Sequence, residues 1–113
     1  MLEKSERPWG RYEVLHEGAT YKVKTIYVTV GKRLSYQRHQ KRSEHWYVTQ
    51  GTGEVTLDGK ILPISPGSVI QVPQGVLHRV NNTGSIELIF IEVQTGSYFG
   101  EDDIERVEDD FGR

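Results

Sequence analysis

The 113-residue chain has no cysteine, which excludes disulfides, thiolate zinc fingers, iron–sulfur clusters and a thiol nucleophile. It has no basic excess. Fourteen Lys and Arg stand against 16 Asp and Glu, for a formal charge of −2, the wrong balance for a general nucleic-acid binder. No apolar run approaches the roughly 20 residues of a membrane helix. The longest, Ile86 to Val93, is strand length and is broken by Glu87 and Glu92. The N-terminal Met1-Leu2-Glu3-Lys4-Ser5-Glu6-Arg7 lacks the apolar segment of a signal peptide. Together with the missing cysteine this points to the cytoplasm, with neither nucleic acid nor membrane as partner. A helical period is not sustained across the middle of the chain, and there is no internal repeat. What is present, 35% apolar and 10% aromatic residues, suffices for one packed domain.

Short runs rich in Val, Ile, Thr and Tyr, punctuated by glycine and proline, predict strands. They cover 11–15, 21–30, 34–39, 45–50, 54–57, 60–64, 68–72, 78–80 and 86–94. Asp58-Gly59 is a two-residue hairpin signal, and Pro66-Gly67 marks another turn. Turns every eight to twelve residues predict an all-β sandwich or barrel. A division follows into an N-terminal arm (1–20), a barrel (21–95) and an acidic tail (96–113). The tail, with seven acids and one base between Glu101 and Asp110, fits a short helix or a solvated segment.

Chemistry concentrates in Gln37, His39, Glu44 and His78. Gln37 and His39 share a strand face, Glu44 follows a tight connection, and His78 follows Pro73-Gln74-Gly75. Two imidazoles, a carboxylate and an amide oxygen form a divalent transition-metal site if these strands are neighbours. The alternative is a pair of hydrogen-bonded inner histidines. Zinc fits best, with manganese, nickel, cobalt and iron also suited to the donors.

The spacing Gly31-x5-Gln37-x-His39-x4-Glu44-x6-Gly51, followed by Gly67-x5-Pro73-x-Gly75-x2-His78-x3-Asn82, resembles the two motifs of the cupin superfamily. The resemblance implies a small antiparallel β-barrel of jelly-roll type with a metal in its mouth. A narrower resemblance runs from Arg7 to Arg113. It is carried by Arg7-Pro8-Trp9-Gly10, Tyr21-Lys22-Val23-Lys24, Leu34-Ser35-Tyr36-Gln37-Arg38-His39, Arg42-Ser43-Glu44-His45-Trp46, Glu92-Val93-Gln94-Thr95-Gly96 and Gly100-Glu101-Asp102-Asp103-Ile104. These segments are similar to the type II mannose-6-phosphate isomerase domain, where glutamine commonly replaces the first motif histidine. In that family the domain usually ends a bifunctional guanylyltransferase/isomerase. The present length leaves no room for the nucleotidyltransferase part, so a standalone isomerase domain is expected.

The resemblance implies interconversion of mannose 6-phosphate and fructose 6-phosphate through a cis-enediol, feeding GDP-mannose and polysaccharide precursors. The candidate bases are Glu44 and Glu92. Glu92 alternates with Leu88 and Phe90, and faces either the interior or a lysine across the sheet. Lys22 and Lys24 share strand parity with Ile26 and Val28 and are candidates for the phosphate. Arg79 is another, although alternation from His78 turns it outward unless the strand bends. Arg7 and Arg42 are further candidates. Trp46 faces the cavity, either against a sugar ring or as core filling, whereas His45 has the outer parity. The alternatives to an isomerase are a non-catalytic module binding sugar phosphate or nucleotide sugar, and a cupin oxygenase. Apolar residues on both faces of 86–93 predict a homodimer.

Overall fold

The computed structural model describes residues 3–112, so Met1, Leu2 and Arg113, at the outer ends of the expected arm and tail, lie outside the described residues. The described chain forms strands β1 (Lys4–Arg7), β2 (Gly10–Glu17), β3 (Tyr21–Val28), β4 (Tyr36–Arg38), β5 (Arg42–Gln50) and β6 (Gly53–Leu57). They are followed by β7 (Lys60–Ile64), β8 (Val69–Val72), β9 (His78–Asn81), β10 (Leu88–Gly96) and β11 (Glu105–Glu108). Every pairing is antiparallel. One sheet has the order β1-β2-β3-β10-β5-β8 and the other β11-β4-β9-β6-β7. The expected barrel is thus a jelly roll of two facing sheets. No helix among the described residues is long and apolar enough to cross a membrane.

Alternation places the core and the site at opposite ends of one interior. Lys24, Ile26 and Val28 of β3 are buried, as are Glu44, Trp46 and Val48 of β5 and Leu88, Phe90, Glu92 and Gln94 of β10. The register sets Leu88 beside Val28, Phe90 beside Ile26 and Val48, and Glu92 beside Lys24 and Trp46. Gln94 lies beside Lys22 and Glu44. Along each strand the inward residues therefore change from aliphatic to ionic. The aliphatic end, closed by Val55, Val80 and Trp9, is the hydrophobic core. Truncating one of its larger members, Phe90 or Leu88, costs about 2–5 kcal/mol by loss of burial and creation of a cavity.

Asp58 and Gly59 both have positive φ, 50° and 85°, as a type I′ hairpin requires. Gly51, the glycine closing the first motif, has φ +83°, and a Cβ there would lie 2.8 Å from the Glu87 carbonyl oxygen. Asn82, the last residue of the second motif, is buried and fully bonded. Its Nδ2 donates to the carbonyls of Val28 (2.9 Å) and Ile86 (3.0 Å), and its Oδ1 accepts from the Gly84 amide (3.0 Å).

Three local expectations change. β1 forms because Glu3 to Arg7 folds back on β2, with the Val14 amide donating to the Glu3 carbonyl at 2.7 Å. β5 begins at Arg42, so Glu44 stands inside the strand and shares its inner row with Trp46. The acidic tail is neither helix nor free segment. It lies across the mouth of the jelly roll and adds β11 to β4. Its carboxylates find cations: Glu105 pairs with Arg38 (2.9 Å), Glu108 with Arg79 (2.8 Å) and Asp110 with Arg33 (2.6 Å). Asp103 accepts the backbone amides of Gln40 (3.1 Å) and Lys41 (2.9 Å).

Candidate metal centre

β4, β5 and β9 carry His39, Glu44 and His78 to the ionic end of the interior. His39 stands just past β4, which pairs with β9 at Gln37 and His78. One donor atom from each of the three residues lies within 4.8 Å of the others, and all three side chains are buried. His39 Nε2 is 3.4 Å from Glu44 Oε2, and His78 Nε2 is 3.9 Å from Glu44 Oε1.

The outer ring nitrogens fix the inner ones. His39 Nδ1–H donates to the Asp103 carbonyl at 2.6 Å, and His78 Nδ1–H donates to the Val76 carbonyl at 3.0 Å. Each ring therefore turns a bare Nε2 lone pair inward, the form in which imidazole ligates a metal. Burial, with Arg42 close by, lowers the His39 pKa below the ordinary 6.5, which favours that neutral ring. His78 Nε2 is buried and has no hydrogen-bond partner. A buried polar atom left without a partner is costly, and a metal ion would satisfy it. Two neutral imidazoles and a carboxylate suit a divalent transition ion. Gln37 adds an amide whose Oε1 accepts from Ser35 Oγ (2.5 Å) and whose Nε2 lies 3.4 Å from His39 Nε2. Half a turn of the amide exchanges the two atoms and brings oxygen toward the histidines.

Two buried carboxylates face this cluster and titrate in opposite directions. Burial alone would raise the Glu44 pKa, but Arg42, His78 and His39 together pull it well below the ordinary range. Glu44 Oε2 accepts from Arg42 Nε, and its Oε1 accepts from Trp46 Nε1, both at 2.9 Å. Glu92 is pushed up to about 8, first by burial and then by the negative charge of Glu44. Like charges this close cannot both ionise readily, so Glu92 keeps its proton while Glu44 stays anionic. Gln94 Nε2 donates to Glu92 Oε2 at 2.7 Å.

Around the cluster is a cavity of about 70 Å³, whose walls include Gln37, His39, Glu44, Trp46, His78 and Glu92. Lys24 also lines it, buried against the Tyr12 ring at 4.1 Å. Lys22 does not reach it. One step further toward the strand end, it lies 3.5 Å from Glu17 and faces a separate surface hollow with Tyr98. Trp46 sits between the His–Glu–His cluster and the core, with its ring 4.8 Å from Phe90 and 5.8 Å from His78. Arg79, which alternation would expose, is buried because the C-terminal segment covers it. It edges the cavity while its guanidinium donates to the Leu34 carbonyl (2.9 Å) and to Glu108 (2.8 Å).

Sequence reasoning gave no role to Glu101, Asp103, Ile104 or Arg106, which bring the tail to the site. Asp103 acts on His39 through a backbone carbonyl, which leaves no side-chain signature. Gln94 could have been placed by the same alternation that turned Glu92 inward.

Facing antiparallel sheets with a His–Glu–His cluster inside define a cupin-type double-stranded β-helix. The fold matches a double-stranded β-helix protein from Klebsiella pneumoniae (TM-score 0.75, 21% identity, 85% of this chain and 82% of that one). It also matches an oxalate decarboxylase from Lactobacillus farciminis (TM-score 0.81, 20% identity, 94% of this chain and 33% of that one). A chain provisionally named a sugar phosphate isomerase, from Acidithiobacillus ferrooxidans, aligns with TM-score 0.62 and 26% identity over 67% of this chain and 50% of its own. Within that class the chain belongs to the family described as mannose-6-phosphate isomerase C-terminal, whose profile matches residues 1–109. It is 49% identical to the alginate biosynthesis protein AlgA of Pseudomonas aeruginosa over 95% of this chain and 22% of that protein. To the xanthan biosynthesis protein XanB of Xanthomonas campestris it is 48% identical, over 95% of this chain and 23% of that protein. The chain thus spans about a fifth of the length of the curated relatives it matches.

Proposed function

We propose that the chain interconverts mannose 6-phosphate and fructose 6-phosphate, with one divalent metal held by Gln37, His39, Glu44 and His78. The observation that carries the reading is the pair of opposed carboxylates beside inward-facing imidazoles, in a member of this family. Zinc fits the donors best, and manganese, nickel, cobalt or iron also suit them. A bound ion would polarise the substrate carbonyl and stabilise enediolate charge, an effect of several kcal/mol. Asp103 and Val76 hold the two rings in their ligating tautomer through backbone carbonyls. Trp46 and Arg42 fix both oxygens of Glu44 and leave the carboxylate anionic. Glu92, shielded from water, acts in its deprotonated form, taking the proton from one carbon of the C1–C2 pair and returning it to the other. Lys24 supplies positive charge for the phosphate. Trp46 walls the sugar site, and Arg79 anchors the covering segment at its rim.

Relatives named for alginate and xanthan biosynthesis support a role for this chain in supplying GDP-mannose and polysaccharide precursors in the cytoplasm. Its partners are the sugar phosphate and a second copy of itself. A coupled assay for fructose 6-phosphate tests the reading. Turnover is expected to vanish with chelator and to return on adding back zinc or manganese. Stoichiometric metal without turnover would instead support a module that binds sugar phosphate or nucleotide sugar. Substrate-dependent oxygen uptake by iron-loaded protein would favour an oxygenase.

A further inference from the structure

Lys24 and Arg42 are both buried, and a buried cation needs an anionic partner. They share one. Glu101 Oε1 lies 2.8 Å from Lys24 Nζ, and its Oε2 lies 3.1 Å from Arg42 Nη1. The three groups come from different parts of the chain: Lys24 from β3, Arg42 from the start of β5, Glu101 from the loop between β10 and β11. Their exposure is unequal. The side chains of Lys24 and Arg42 are 2% and 4% exposed, whereas that of Glu101 is 39% exposed. The cations belong to the cavity floor, and the carboxylate reaches them from the solvent side.

Arg42 also touches the metal cluster. Its Nε donates to Glu44 Oε2 at 2.9 Å and its Nη2 donates to His39 Nε2 at 3.2 Å. One guanidinium thus joins the candidate metal ligands to the place where Glu101 binds. The cavity of about 70 Å³ falls well short of the roughly 300–1,000 Å³ of pockets that hold small molecules. Glu101 and Ile104, from the covering segment, form part of its wall. Moving that segment would enlarge the cavity and uncover two buried cations in the same step.

We infer that Lys24 and Arg42 form the phosphate subsite, and that the Glu101 carboxylate fills it in the closed chain as an internal stand-in exchanged for the phosphate of the substrate. The choice of phosphate rests on the isomerase reading above; the competition between Glu101 and an external anion does not. A phosphate dianion carries more charge than a carboxylate and offers an oxygen to each cation at once. Because Glu101 occupies the subsite, the apparent affinity for an external anion is reduced by the fraction of chains that are closed. Removing the Glu101 charge should therefore tighten anion binding, although it removes an ion pair from the protein.

Titration of the full chain with inorganic phosphate, with chelator present so that no metal takes up the ligand, reads this directly. Glu101→Gln is expected to lower the phosphate Kd about tenfold or more by the relation between competent fraction and affinity. Glu105→Gln, which cuts the Arg38 pair on the same segment, should leave it unchanged. Lys24→Met in the Glu101→Gln background should abolish the gain. Unchanged or weaker binding by Glu101→Gln overturns the inference. Equal tightening by both Gln variants also overturns it, because loosening of the segment would then suffice. Should Lys24→Met fail to fold, the contrast between the two Gln variants still decides. The isomerase reading is scored separately. A chain that never turns over mannose 6-phosphate, yet binds phosphate more tightly as Glu101→Gln, keeps the subsite and loses the reaction. A chain that turns over, with phosphate binding indifferent to Glu101, does the reverse.

Discussion

Glu44 and Glu92 are the same residue type on the inner rows of adjacent strands, and their neighbours make them chemical opposites. Glu44 lies against the Arg42 guanidinium and the two imidazoles, and stays ionised. Glu92 faces Glu44 and is pushed up to about 8, the range in which a carboxylate is a useful proton acceptor near neutrality. Glu92→Gln keeps the size and the contact with Gln94 but cannot carry a proton. Turnover is expected to fall by about 10²–10⁴, with metal content unchanged. In the parent chain the rate should rise with pH as Glu92 loses its proton, levelling off at or below about 8. A metal on Glu44 would neutralise the charge that holds the proton on Glu92, so the loaded protein should level off at the lower end. A Gln variant that still turns over, or retains the rising limb, would assign the proton transfer to another group. The inward placement of Glu92 was one of two options in the sequence, because alternation gives parity but not which face is inside. Its raised pKa was legible only as a consequence of that placement. The influence of Arg42 on Glu44 acts between two residues of one inward row of β5, and it was hidden in the sequence because that strand was expected to begin only at residue 45.

At the scale of elements, the strands and the segment after β10 were unequally legible. β7 was read to the residue and β3 to its start, because branched and aromatic residues bounded by turns act locally. The C-terminal segment was not, because acids followed by Ile104 and Val107 satisfy a helix start, a solvated tail and a strand equally well. Distant cations decide the matter: Arg33, Arg38 and Arg79 draw the segment into β11. Its acid sensitivity follows. Glu101 is lowered to about 2 from the ordinary 4.5; burial opposes this, but Lys24 and Arg42 outweigh it. Asp103 is also lowered, against burial, by the amides of Gln40 and Lys41, and Glu108 is lowered by its bond to Arg79. A carboxylate whose folded pKa is depressed contributes stability above its unfolded pKa and loses it as pH falls toward the folded value. The segment should therefore detach between about pH 4.5 and 2. Amide NMR shifts of Gln40 and Lys41 are expected to move in that window, ahead of core amides such as Val48. A single transition in which all of these move together would mean that the segment has no acid-labile docking of its own.

At the scale of the whole molecule, the sheet that carries the core on its inner face is also apolar outside. Across its outer surface Tyr27, Ile89, Ile91, Val93, Tyr47 and Val69 lie on neighbouring strands β3, β10, β5 and β8. Tyr47 and Val69 are 49% and 55% exposed. An antiparallel sheet with one wet face normally alternates apolar inside with polar outside. Here β10 is apolar on both sides through Ile91, and only Glu92 and Gln94 interrupt its inner row. Tyr27, Ile89, Ile91 and Val93 are half-buried beside Tyr47 and Val69, with His45 and Gln71 on the same face, and apolar side chains gathered in this way suit an interaction surface. A second copy is the simplest partner, since a two-fold axis lets one patch meet itself. The chain is expected to sediment as a dimer at micromolar concentration. Tyr47→Lys together with Ile91→Lys should give monomers with the β-sheet circular dichroism retained, because both side chains point away from the core. Neither touches the candidate metal ligands, so the metal content of those monomers should match that of the dimer. A parent chain that sediments as a monomer at micromolar concentration would leave this face for some other partner.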